Sequence, residues 1–158
     1  MDLFTLFFFF IYFYLNILLC WHDLSTGLLP DRFTCPLLWS GVLFHLCQRP
    51  LLTADALWGA IAGYSAMAAL YWGYRAIRHR EGLGYGDVKY LAALGAWHNW
   101  QQLPLLMLVA AGMACIYVAG RTLWSHTTTD MKNPLPFGPF MGAAGFILAG
   151  FSVISLRL

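Results

Sequence analysis

The chain of 158 residues is 60% hydrophobic and 17% aromatic, and only 10% of its residues are charged. Soluble domains carry about 25% charged residues, so this composition excludes a water-soluble globule and favours a protein that folds in a lipid bilayer. The net charge of +2 is too small to indicate a nucleic-acid partner, and the length allows one domain.

The first apolar run covers residues 3–21, where Thr5 and Asn16 are the only clearly polar members. A membrane-spanning helix needs about 20 mostly apolar residues, and this run has that length. A signal peptide would begin with positive residues and end at a small-residue cleavage site. This chain has Asp2 instead and no such site follows, so we predict a retained helix.

Five further apolar runs follow, at residues 33–47, 56–74, 88–97, 103–119 and 137–155. Pro30 and Asp31 fit the first turn of the second helix. The fourth run would reach only about 15 Å, so it spans only if it is extended or if its polar start lies in a protein-lined cavity. We predict an all-α polytopic membrane protein, a single transmembrane domain over residues 1–158 with six transmembrane helices, the fourth short.

The basic residues predict the orientation. With six spans, the loops after the first, third and fifth helices share one side and hold seven basic residues, whereas the other side holds two, Arg49 and Arg157. Basic residues accumulate on the cytoplasmic side, so we predict cytoplasmic loops after these helices and outward termini. If the fourth run does not span, the count is six against three, and the loops after helices one and three stay cytoplasmic. The seven residues are Arg32, Arg75, Arg78, Arg80, Lys89, Arg121 and Lys132.

Two acidic residues are predicted at the cytoplasmic membrane boundary. Asp23 ends the first helix and Asp87 begins the fourth, within Gly84-Tyr85-Gly86-Asp87. Ionisable groups at membrane depth are costly, which makes each one a functional candidate. Facing carboxyl groups can share a proton, so that one activates water and the other donates to a carbonyl, as in peptide hydrolysis. The two glycines would let the backbone approach a substrate strand closely. From spacing alone, capping or solvated aspartates remain the alternative.

Other patterns in the sequence predict helix packing and no metal-binding role. The four cysteines form no CxxC pair, and no set of Cys and His has zinc spacing, so we interpret the cysteines as small core residues and predict no metal. The pattern Gly59-x-x-x-Gly63 favours close helix packing. The cysteines are Cys20, Cys35, Cys47 and Cys115.

Three stretches resemble the type IV prepilin peptidase family of GxGD aspartyl proteases. The first, residues 23–31, reads Asp-Leu-Ser-Thr-Gly-Leu-Leu-Pro-Asp. The second, residues 81–89, reads Glu-Gly-Leu-Gly-Tyr-Gly-Asp-Val-Lys and runs into Leu-Ala-Ala-Leu-Gly-Ala-Trp at 91–97, and it is the most specific of the three. The third, residues 134–139, reads Pro-Leu-Pro-Phe-Gly-Pro. The likeness covers residues 23–150.

The resemblance implies a transmembrane peptidase domain with Asp23 and Asp87, 64 positions apart (87 − 23), as its catalytic pair. Asp31 is the competing candidate for the first acid. The implied activity is removal of the short basic leader from type IV prepilins or prepilin-like type II secretion proteins, at the cytoplasmic face of the bacterial inner membrane. The implied partners are a prepilin or pseudopilin and the bilayer, without cofactor or nucleic acid. The residues that would support catalysis or bind substrate are Gly84, Gly86, Lys89, Pro136, Phe137, Gly138 and Pro139.

Two other classes of function fit the membrane topology. A small proton- or ion-coupled transporter subunit could use Asp23 and Asp87 as a relay. A non-catalytic assembly factor of a pilus or secretion machine would need neither acid. Incubation with a prepilin in detergent separates both of them from the peptidase.

Many members of this family carry an additional N-terminal region with paired CxxC motifs, which is linked to N-methylation of the trimmed pilin. No CxxC pair is present here, and the first apolar run begins at residue 3. If this protein acts alone, we expect a trimmed pilin with an unmethylated N-terminus and no use of zinc or S-adenosylmethionine. Mass spectrometry of the product checks this, and a methyl group added by the purified protein would contradict it.

Overall fold

The computed structural model describes residues 3–78, 84–124 and 136–155, and all regular secondary structure in these ranges is helical. The prediction of an all-α fold is confirmed. A short 3-10 helix covers Pro50–Leu52. The five α-helices are α1 (Leu3–Thr26), α2 (Asp31–Gln48), α3 (Thr53–Arg78), α4 (Tyr85–Trp124) and α5 (Gly138–Ser155).

Helix α4 is interrupted at Asn99, whose φ of 61° and ψ of 166° are not helical. We call residues 85–98 its first arm and residues 100–124 its second arm. Leu94 of the first arm packs at Gly145 of α5, while Tyr117 of the second arm contacts Phe140, earlier in α5, with ring centroids 5.6 Å apart. A straight helix would carry Tyr117 about 35 Å beyond Leu94. The chain therefore reverses at Asn99, and the fourth and fifth predicted runs form antiparallel arms.

The first arm of α4 is the centre of the bundle, and every residue from 90 to 98 is buried. Helices α2, α3 and α5 pack directly against it, and α1 is joined to it through side chains. Its 14 residues reach about 21 Å, less than the roughly 30 Å of a hydrocarbon core. Protein surrounds residues 90–98 of this arm, which is the environment that a run shorter than the hydrocarbon core requires.

The GxxxG pattern of α3 packs against the first arm of α4, as predicted. A Cβ atom added to Gly59 would overlap the backbone of Gly95, and one added to Gly63 would lie 2.8 Å from the carbonyl oxygen of Leu91. Small residues let the two backbones approach closely. The glycines therefore serve helix packing.

The helix ends near Asp23 differ from the sequence prediction. α1 continues to Thr26, five residues beyond the predicted apolar run 3–21, so Asp23 lies inside the last helical turn. Gly27, with φ of 65°, terminates the helix, as glycine commonly does at this position. Pro30 is extended and precedes α2, where it was expected inside the first turn. Its carbonyl oxygen accepts the first helical hydrogen bonds, from the N–H groups of Phe33 and Thr34 at 3.0 and 3.3 Å.

The surface of the bundle is apolar and its interior holds polar groups. Soluble proteins show the opposite distribution, because they rarely expose large contiguous apolar patches. Leu3–Thr26 and Tyr85–Thr122 are long and apolar enough to cross a membrane by length and composition, the latter with its break at Asn99. Examples of exposed side chains are Leu3, Phe4, Phe10, Trp21, Trp39, Leu51, Trp58, Ile77, Leu108 and Ile116. The buried polar residues among those described are Asn16, Asp23, Thr34, Ser40, His45, Asp87 and His98.

Candidate active site

Asp23 is buried in the last turn of α1, with 5% of its surface exposed. The backbone N–H of Gly138 donates a hydrogen bond to its Oδ2 atom at 2.9 Å. Gly138 is the first residue of α5, where N–H groups have no partner inside the helix and carry partial positive charge. A Cβ atom on Gly138 would lie 2.6 Å from the same carboxyl oxygen. The start of α5 therefore fixes the position of Asp23.

Asp87 is buried in the first turn of α4, with 6% of its surface exposed. Its backbone N–H donates to the carbonyl oxygen of Gly84 at 3.0 Å, which starts the helix. The carboxyl group interacts electrostatically with that of Asp23, although the two residues belong to separate helices. Its Oδ1 atom is buried and has no hydrogen-bond partner among the described residues. The structure thus brings two carboxyl groups to one buried place and leaves an oxygen available for hydrogen bonding.

The residues before α5 form a helix start that presents Gly138 to Asp23. The carbonyl oxygen of Phe137 accepts hydrogen bonds from the N–H groups of Phe140 and Met141, at 3.1 and 3.2 Å. Pro139 lies in the first turn, where its missing N–H costs no helical hydrogen bond. Pro136 precedes Phe137, and residues 134 and 135 of the same motif lie outside the described residues. The proline-rich motif therefore acts here through backbone geometry.

The two glycines before Asp87 differ in role. Gly84 is exposed and adjoins the Asp87 carboxyl group, from which an added Cβ atom would be 3.4 Å away. Gly86 instead touches the turn between α1 and α2, since a Cβ atom there would lie 2.8 Å from that of Leu29. That Gly86 lets the backbone approach a substrate strand stays a prediction, and in this conformation Leu29 occupies the space beside it. Its small size is needed for packing inside the protein.

Lys89 and Asp31 form an ion pair that joins the start of α4 to the start of α2. The Nζ atom lies 2.7 Å from both carboxyl oxygens of Asp31, and the two side chains are 36% and 60% exposed. Asp31, the competing candidate for the first acid, is thus a surface carboxylate with a basic partner. Asp23 is the buried one.

An Asp31→Asn substitution should leave cleavage near the wild-type rate. Exposed ion pairs contribute about 0–1 kcal/mol, and a helix-dipole contact about 0.3–1 kcal/mol. Initial cleavage rates and thermal unfolding of the variant check this. If Asp31→Asn is inactive while Asp23→Asn cleaves normally, the first catalytic role passes to Asp31.

A row of buried, hydrogen-bonded polar side chains extends from the aspartates toward the other end of the bundle. This row was not predicted from the sequence. The Tyr90 hydroxyl donates to Oδ1 of Asn16 at 2.7 Å, and the Asn16 amide donates to the carbonyl oxygen of Tyr12 at 2.7 Å. The Tyr12 hydroxyl bonds Nε2 of His98 at 2.9 Å. One signal was available, because Asn16 interrupts an apolar run seven residues before Asp23, and that spacing places both on one helix face.

The described residues contain no group of three or more His, Cys, Asp or Glu placed to hold a metal ion. The interpretation of the cysteines as core residues is wrong for Cys35, Cys47 and Cys115, which are exposed, and Cys20 is half-buried. In a bundle with an apolar exterior, an apolar environment in the sequence does not imply burial. All four thiols are free.

Comparison with known proteins identifies the family. A model described as the type IV leader peptidase family matches residues 8–119. The chain is 56% identical to leader peptidase HopD of Escherichia coli over 97% of this chain and 98% of that protein. It is 58% identical to leader peptidase HopD of Salmonella typhimurium over 84% of each chain. It is also 44% identical to the prepilin leader peptidase/N-methyltransferase of Aeromonas salmonicida, over 79% of this chain and 42% of that longer protein.

No solved structure matches the chain. The prepilin peptidase resemblance found in the three sequence motifs is confirmed by the family match, and with the apolar helices it makes this a membrane-embedded protease. The chain belongs to the type IV leader peptidase family.

Proposed function

We propose that Asp23 and Asp87 hydrolyse the peptide bond between the basic leader and the mature part of a prepilin or pseudopilin. The observation that carries this proposal is the meeting of two buried, interacting carboxyl groups from α1 and α4. Burying an acid is costly, and burying two together is costlier, so such a pair is retained for chemistry more readily than for stability.

The hydrogen bonds around the pair suggest a role for each acid. The Gly138 N–H stabilises negative charge on Asp23. Oδ1 of Asp87, by contrast, is buried without a donor among the described residues, and its carboxyl group receives a hydrogen bond only from the backbone of Gly84. The proton that the pair shares would then reside mainly on Asp87. Asp23 accepts a proton from the attacking water, and Asp87 donates its proton to the carbonyl oxygen of the scissile bond. No covalent intermediate is formed.

Cleavage of a prepilin by the purified protein tests this function. The full chain in detergent is incubated with a prepilin, and the products are identified by mass spectrometry. A single cut that releases the leader is expected, and it should depend on both aspartates. An intact prepilin after incubation with folded protein would favour the non-catalytic assembly factor or the transporter subunit, both of which also fit a bundle with two buried acids.

We further propose that the chain is one transmembrane domain of six spans in the bacterial inner membrane, with the aspartates at the cytoplasmic face. The antiparallel arms of α4 support six crossings. Asp23, Asp87 and the start of α5 share one end of the bundle, which is also the end of Arg32 and Lys89. The basic asymmetry of the loops supports a cytoplasmic location for this end.

Cysteine labelling tests the orientation. A His79→Cys substitution, at a position outside the described residues, should be shielded from impermeant thiol reagents in intact cells after the native cysteines are replaced. Leu51→Cys is the matched control, because Leu51 is 94% exposed and lies in the loop predicted on the opposite side. Labelling at 79 with protection at 51 would reverse the proposed orientation and, with it, the side of substrate access.

A further inference from the structure

We propose that Tyr90 and Asn16 are positioning residues, whose hydrogen bond sets the separation of the Asp23 and Asp87 carboxyl groups. This inference rests on the proposed function, because it assigns the two residues to the same catalytic site. It concerns groups that do not touch the substrate. They act through the two helices that carry the aspartates.

The bond joins the helix faces that carry the two acids. Asn16 and Asp23 are both buried residues of α1, seven positions or about 10 Å apart along one face. Tyr90 follows Asp87 by three positions, so it lies on the same side of α4, less than one turn away. A change in the contact between Tyr90 and Asn16 therefore changes the relative placement of the aspartates.

The hydrogen bond between Tyr90 and Asn16 is buried and its two side chains are held by neighbouring groups. Both side chains are completely buried, and their oxygen atoms are 2.7 Å apart. The amide nitrogen of Asn16 is occupied by the carbonyl oxygen of Tyr12, which leaves Oδ1 to accept from Tyr90. On the side of α5, a Cβ atom at Gly142 would lie 2.8 Å from the Tyr90 hydroxyl oxygen and 2.5 Å from Sγ of Cys20. The Tyr90 hydroxyl thus lies between Asn16 and Cys20 of α1 and the backbone of α5, with Sγ of Cys20 at 4.0 Å.

No hydrogen bond among the described residues joins the two carboxyl groups to each other. Asp23 is fixed by Gly138 of α5, and the turn that carries Asp87 is closed by Gly84. The hydrogen bond between Tyr90 and Asn16 is the strong α1–α4 contact near them, and the same Tyr90 hydroxyl also lies 4.0 Å from Sγ of Cys20 on α1. The bond between Tyr12 and His98 lies farther away, by about one turn along α1 and about two turns along α4. Catalytic geometry is sensitive to displacements of about 1 Å, which can cost about 10²-fold in rate.

The test is a Tyr90→Phe substitution in the full chain, measured with a prepilin substrate. We expect kcat to fall by about 10-fold to 10²-fold with little change in KM. Because two coupled carboxyl groups titrate as a pair, we also expect the spacing between the two apparent pKa values of the pH–rate profile to change. The shape of this profile does not depend on how much of the protein is folded. A purely structural role would lower the rate at all pH values alike.

Tyr12→Phe is the matched control, because it also removes a buried hydroxyl with a buried partner, His98. Its pH–rate profile should be that of the wild type. The double substitution Tyr90→Phe/Asn16→Leu removes both polar groups, which avoids an unpaired amide and protects folding. It should still show the altered profile. This second variant keeps the test decisive if Tyr90→Phe alone does not fold.

A wild-type profile in Tyr90→Phe and in the double variant would overturn the inference. So would a loss that is uniform across pH, or an equal change in Tyr12→Phe. Failure of the proposed function is distinguishable from these results. In that case the wild-type protein does not cleave the prepilin, or Asp87→Asn cleaves it normally.

Discussion

Asp87→Asn should lower the rate of leader cleavage by about 10²–10⁴-fold while the protein still inserts into the membrane. The substitution keeps the shape of the side chain but removes the proton that Asp87 would donate, and it ends the charge coupling with Asp23. Asp23→Asn should cost as much, because it removes the group that takes the proton from water. Initial rates on a prepilin, normalised to membrane-inserted protein, measure both losses.

Asp55→Asn is the control for these substitutions. Asp55 accepts a hydrogen bond from Nε1 of Trp100 at 3.3 Å, and no contact described joins it to the catalytic pair. The variant should therefore cleave at close to the wild-type rate. Full activity in both Asp23→Asn and Asp87→Asn would end the aspartyl peptidase hypothesis.

Gly138→Ala should lower the cleavage rate per folded molecule by about 10²-fold. The added methyl group would lie 2.6 Å from Oδ2 and 3.1 Å from Cγ of Asp23, so the carboxyl group must move away from its N–H donor. A displacement of about 1 Å in a catalytic group can cost about this factor. The overlap also makes unfolding easier, since an extra methyl group forced into a packed site costs about 1–3 kcal/mol. Rates and thermal unfolding of the same preparation separate the two effects.

Gly150→Ala is the matched control within α5, because an added Cβ atom there meets nothing within 4 Å. It should cleave at the wild-type rate. A Gly138→Ala protein with wild-type activity would show that the position of the Asp23 carboxyl group does not depend on the start of α5.

Much of this fold could be predicted because apolar runs of membrane length signal helices strongly. Five of the six predicted runs fall within helices of the structure, and the sixth begins one residue before α5. The position of Asp23 and Asp87 at one end of the bundle followed from counting helices, since the end of the first and the start of the fourth lie on the same side. The family motifs indicated the same pair.

The remaining features depend on contacts between distant segments. No glycine or proline stands at position 99 to indicate that α4 reverses there. Pro104, which would suggest a break, lies inside the second arm. Gly86 was assigned to substrate access because the sequence could not show that Leu29 packs against it. The bond from Tyr90 to Asn16 joins residues 74 positions apart, so the polar Asn16 could be noticed in the sequence but its partner could not be identified.

The most direct measurement compares the initial cleavage rates of wild type, Asp23→Asn, Asp87→Asn and the double variant on one prepilin. Residues that act as a unit lose their whole contribution when either is removed. If the two acids share one proton and one water, the three variants should show the same residual rate, about 10²–10⁴-fold below wild type. Losses that multiply in the double variant, or a single variant that cleaves at full rate, would contradict a catalytic pair formed by Asp23 and Asp87.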